Sequence, residues 1–156
     1  MPIAYTFLED PAIHLVSYHG IVTNEDFLES YKAASVDPRY RPGMLEISDL
    51  RYADAVDIDI DAIKQFVAWV AGREDLTGTT LRSGILLGND MQAGLSRLYE
   101  AVADLETNET VRRFRDLPSL LAWLPVDAAH TTMIDSALHS LAQEEPVQPP
   151  EGSPTP

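Results

Sequence analysis

The chain has no cysteine. That excludes a disulfide framework, a thiolate nucleophile and any zinc or iron–sulfur site held by sulfur. It also leans toward a reducing compartment. Positive charge is scarce as well: 11 Lys and Arg stand against 25 Asp and Glu, for a formal net charge of -14. A field of that sign repels nucleic acid and anionic lipid, so neither is expected as a partner. Residues 116–156 contain no Lys or Arg at all. No apolar run approaches the roughly 18 residues of a membrane span. The opening Met1-Pro2-Ile3 reaches Glu9 and Asp10 with no basic region before an apolar stretch, so no signal peptide is expected and the localisation expected is cytoplasmic.

Phosphate-binding signatures are missing too. A P-loop needs a glycine-flanked loop ending in Lys-Ser/Thr, and the two lysines, Lys32 and Lys64, follow no such loop. Gly84 and Gly88 do not make a dinucleotide fingerprint. The Gly-x-Ser-x-Gly elbow of the α/β hydrolases is absent. No cofactor is therefore expected.

What is present is the patterning of one α/β domain. A chain of 156 residues, 45% of them hydrophobic, can bury a sizeable core. Residues 3–8 and 13–19 read as two strands around the turn Glu9-Asp10-Pro11, hence an antiparallel hairpin. Gly20 closes the second strand, and Thr23 with Asp26 opens a helix as a capping-box variant. Residues 44–47 form a short third strand. A helix over 60–71 follows, capped by Asp57 or Asp59. Residues 83–87 are a fourth strand, and Asn89 caps a third helix whose apolar face is Met91, Leu95, Leu98, Val102 and Leu105. A fifth strand spans 110–114. Asp116 then caps a helix with Pro118 in its first turn, and one more helix fits 127–142. The fold class expected is α/β: a mixed sheet with an N-terminal antiparallel hairpin, then parallel β-α-β crossovers, with helices packed on the sheet. Residues 1–125 make the domain, 126–142 an additional helix, and 143–156 an acidic tail. The five prolines and three glutamates of that tail cannot build a core.

Residues with chemistry are scattered. His14, His19, His130 and His139 contain no His-x-x-x-His pair, so they read as surface or satisfied core histidines. Asp57, Asp59 and Asp61 alternate as in a calcium loop, but that loop's later glycine and glutamate positions hold Ala62 and Ala68. Helix capping explains them better. Trp69 and Trp123 lie beside helix stripes, as core residues do.

Three segments carry a resemblance. They are His19-Gly20 with Val22-Thr23-x-Glu25-Asp26-Phe27, then Leu45-Glu46-Ile47-Ser48-Asp49-Leu50, and then Val111-Arg112-Arg113-Phe114-Arg115-Asp116 leading into Ser119-Leu120-Leu121-Ala122-Trp123-Leu124. In order and spacing, over roughly residues 3–124, the chain resembles the SpoIIAA-like family, related to the STAS domains of anti-sigma-factor antagonists. The resemblance implies a mixed sheet with helices largely on one side. STAS relatives carry a serine in Asp-x-Ser-Gly that a partner kinase phosphorylates. Here Asp49 is followed by Leu50-Arg51-Tyr52, with no serine or glycine in register, so no functional residue carries across.

The expected function is a non-catalytic interaction or regulatory module. A small-molecule or lipid-binding protein is the alternative, and an unrecognised enzyme the lesser one. Any contact site is expected at the carboxyl ends of the third to fifth strands, where open sheets form their crevice. Asp49, Arg51, Tyr52, Asn89, Asp90 and Arg115 reach that edge. The negative charge there favours a protein partner or a small neutral or apolar ligand. A homodimer stays open.

Overall fold

The computed structural model describes residues 2–76 and 78–144, so the expected tail falls almost wholly outside the described residues. The elements run β1 (Ile3–Glu9), β2 (Ala12–Thr23), α1 (Asn24–Ser35), β3 (Leu45–Asp57), α2 (Ile60–Ala71), β4 (Leu81–Leu86), α3 (Asp90–Glu106), β5 (Glu109–Phe114), α4 (Leu117–Trp123) and α5 (Thr131–Ala142). The strands form one sheet in the order β1-β2-β3-β4-β5. β1 is antiparallel to β2, and the other three pairings are parallel. This is the mixed sheet with an N-terminal hairpin that the patterning predicts.

The helices start where their caps stand. The Thr23 hydroxyl accepts from the Asp26 N–H, and the Asp26 carboxylate accepts from the Thr23 N–H, closing the capping box. Asp59, Asn89 and Asp116 each accept the amide three residues on at 2.9 Å. These bonds hold the Asp59 and Asp116 carboxyls below their ordinary range. Asp59 also accepts from the Asn24 side chain, tying the starts of α1 and α2 together.

Strands that step across the sheet in one direction, joined by right-handed crossovers, leave their helices on one face. There Val16, Tyr18, Leu50, Ile85 and Val111 pack with Phe27 of α1, Phe66 and Val70 of α2 and Ala103 of α3. The central strands are apolar on both faces, so the other face needs a cover as well. Ile13, Leu15, Ile47 and Leu86 bury there against Leu117, Leu120 and Leu121 of α4 and Ile134, Leu138 and Leu141 of α5. Helices therefore lie on both sides of the sheet, which corrects the one-sided layer implied by the resemblance.

Three local expectations are also corrected. Gly20 does not end β2. It sits at φ +62 inside a register shift, and the strand continues to Thr23. The third strand is not four residues but thirteen. The Asp49 carboxylate is fully buried and held by Arg51, so the strand passes through it. On α3 two members of the expected apolar stripe face outward: Met91 is 89% exposed and Leu98 39%. Gln92, Ser96 and Ala103 are buried instead.

Candidate functional site

The face of α3 turned inward is polar because the sheet beneath it is polar. On the face under α1–α3, the register pairs His14 of β2 with Glu46 of β3, and Glu46 with Ser83 of β4. Glu109 opens β5 opposite Leu81, two residues along from Ser83 on the same face. Four parallel strands thus contribute one lateral band of polar side chains where a core would ordinarily be aliphatic.

Two hydrogen-bonded chains run through this band. In the first, the His14 Nδ1 lies 3.2 Å from Glu46, and the Ser48 hydroxyl donates to Glu46 at 3.3 Å. With Ser48 donating to the carboxylate, Tyr31 donates to Ser48 at 2.8 Å and Tyr18 to Tyr31 at 3.0 Å. In the second, Ser83 and Tyr99 each donate to Glu109 at 2.9 Å. Burial raises the hydroxyls of Tyr18, Tyr31 and Tyr99 above the ordinary tyrosine value. Glu109, 7% exposed, is pushed up to about 7 by burial, then by the negative charge of Glu46, against the opposing bonds from Ser83 and Tyr99.

Two cavities of about 50 Å³ each open onto the band, and Tyr31, Glu46, Ser83 and Glu109 line both. The first reaches toward Ile58, Leu95 and Ser96. The second extends past His14 to Tyr40, Met44, Trp69 and Arg73 at the amino ends of the strands. Each volume suits one or two waters or a compact group of atoms, at about 30 Å³ per liquid water. A lipid chain is far larger. Chemically the band offers carboxylate and imidazole acceptors, hydroxyl donors, and at Glu109 a proton exchangeable near neutral pH. Among the described residues no group of three or more His, Asp or Glu side chains is placed to hold a metal ion.

The six sequence-predicted contact residues fall in two separate groups: Asn89, Asp90 and Arg115 follow the carboxyl ends of β4 and β5, but Asp49, Arg51 and Tyr52 lie within β3, because that strand runs on beside β2 to Asp57. Asp49 accepts from the Arg51 backbone N–H and from its Nε and Nη2 at 2.9–3.0 Å, and Arg51 Nη2 also reaches Asp135 of α5 at 3.0 Å. The Asp49 carboxylate beside it raises the Arg51 guanidinium above its ordinary value. Tyr52 stands under that guanidinium at 5.3 Å and meets His139 of α5 at 3.3 Å. These three residues therefore fasten α5 to β3. Asn89 caps α3, while Asp90 pairs with Arg115. Buried Gln92 links the two strand ends, accepting from the Gly88 N–H and donating to the Leu50 carbonyl, both at 2.8 Å.

Sequence reading passed over the interior band. His14 reads as a surface or satisfied core histidine, Glu46 only as part of the third strand and of a segment that carries the resemblance, and the expected fifth strand begins one residue after Glu109. A signal did exist. Gln92, Ser96, Tyr99 and Ala103 recur at helical spacing, so α3 has a continuous polar-aromatic face.

No family model matches the chain, and none of the curated proteins does. Among solved structures it is similar to an uncharacterized protein from the DUF3478 family with a SpoIIAA-like fold from Shewanella loihica PV-4. The identity is 18% and the TM-score 0.51, over 78% of this chain and 93% of that one. The likeness supports the fold: a SpoIIAA-like mixed sheet with helices packed on it.

Proposed function

We propose that this chain is a non-catalytic binding module that takes a small polar molecule between its sheet and α1–α3. One observation carries the reading: the band His14–Glu46–Ser83–Glu109, buried at His14, Ser83 and Glu109 and partly buried at Glu46, borders two small cavities. Burying a carboxylate without a paired Lys or Arg costs several kcal/mol, on the order of what a well-packed aliphatic would avoid. Stability alone would favour leucine or valine at these positions. A band that opposes stability and also borders a cavity reads as a binding site. Amide chemical-shift mapping of the labelled full chain against a library of small polar metabolites tests it. Shifts clustering on Tyr31, Glu46, Ser83 and Glu109 are expected. Reproducible binding confined to Gly88, Asn89 and Arg115 would refute it.

That second outcome belongs to a second reading, in which the carboxyl edge is a protein-contact surface. Met91 favours it, an 89% exposed methionine beside the Asp90–Arg115 pair. In that reading Asn89, Asp90 and Arg115 meet the partner, and Asp49, Arg51 and Tyr52 hold the edge in shape.

A further inference from the structure

We propose that the interior site recognises a small organic cation, a protonated amine of a few heavy atoms, with its ammonium group between Glu46, Glu109 and His14. The proposal rests on the small-ligand reading above and names the ligand's chemistry.

Two observations point the same way. The first is a surplus of acceptors. Two carboxylates enter the band from β3 and β5, one on each side of Ser83 of β4, and among the described residues neither is paired with Lys or Arg. The second is His14, which is 3% exposed, with a ring Nε2 that has no hydrogen-bond partner among the described residues. A neutral ring that donates from Nδ1 to Glu46 leaves Nε2 as a bare acceptor, and His14 lines the second cavity.

Other ligand classes fit less well. An anion would meet two carboxylates. An apolar molecule would leave the acceptors unpaired in a partly dry site, which opposes binding. A cation with several N–H donors satisfies the acceptors and neutralises charge at once. The volume of about 50 Å³ for each cavity limits the ligand to a compact amine.

The test titrates the ¹⁵N-labelled full chain at pH 8 with methylammonium and ethanolamine, against ethylene glycol and acetate at matched ionic strength. Saturable shifts at Tyr31, Glu46 and Ser83 are expected with the two ammonium probes. Glu46→Gln and Glu109→Gln should each weaken that binding by about tenfold, since a charge-assisted bond is lost while the shape is kept. Either variant whose amide spectrum is otherwise unchanged suffices. Saturable binding of ethylene glycol or acetate at the same amides, with no preference for ammonium, would overturn the cation assignment and leave the small-ligand reading standing. No saturable shift at these amides, with the probes or with the metabolite library, would overturn both.

Discussion

Replacing Glu109 with glutamine should stabilise the protein at alkaline pH and leave it unchanged in acid. The carboxyl titrates at about 7 in the fold against an ordinary 4.5. Below pH 4.5 the group is protonated whether the chain is folded or not, and it contributes no pH dependence. Between 4.5 and 7 the unfolded chain ionises while the folded one holds its proton, so stability falls as pH rises. Above 7 both forms are ionised and the loss is complete. Two to three pH units at about 1.4 kcal/mol each give a loss of about 3 kcal/mol. Glutamine keeps the shape, accepts from Tyr99 and can donate to Ser83, and it never ionises. The variant should match the wild type near pH 4.5 and exceed it by about 3 kcal/mol at pH 8, a rise in Tm of about 10 °C. Urea melts of both proteins from pH 4.5 to 8.5 measure this. Subtracting one from the other removes every titrating group except those coupled to Glu109, among them Glu46 and Tyr99. A difference that stays flat across pH, or a variant less stable at pH 8, would refute the argument. So would a Glu109 side-chain carbon titrating below pH 5.

Two further substitutions probe the frame around the site. Arg51→Met removes the partner of a carboxylate that is fully buried, and breaking such a pair costs about 3–5 kcal/mol. The urea midpoint should drop accordingly, Asp49→Asn in the same chain should restore part of it, and a loss under about 1 kcal/mol would show that Asp49 needs no counter-ion. Gly84→Ala would put a Cβ 2.7 Å from the Cγ of Leu120, which is itself fully buried and cannot swing away. The overpacking should cost about 1–3 kcal/mol, and combining it with Leu120→Ala should abolish that penalty. Additive costs in the double-mutant cycle would show that the two residues do not meet.

The amino-acid sequence alone determined the order of strands and helices, the starts of α1 to α4 and the mixed sheet, while α5 begins at Thr131, four residues later than expected. These follow from short-range physics. Thr23, Asp59, Asn89 and Asp116 satisfy amides three residues away, and alternating or helical apolar spacing needs no distant partner to be read. Tertiary structure decided everything that depends on a partner far along the chain. Asp49 reads as a contact residue beyond a strand that ends at Ile47, but Arg51 and Asp135 of α5 fasten it within β3. The layer of α4 and α5 on the second face is set by where the chain goes after β5. His14, Glu46, Ser83 and Glu109 are separated by up to 95 positions, and only the lateral register of parallel strands brings them into one band. The inward face of α3 shows the reason most directly. Apolar periodicity favours Met91 and Leu98, but a helix packs toward what lies beneath it. Beneath α3 lies a buried carboxylate, so Tyr99 turns inward to donate to Glu109 and Met91 is left in solvent.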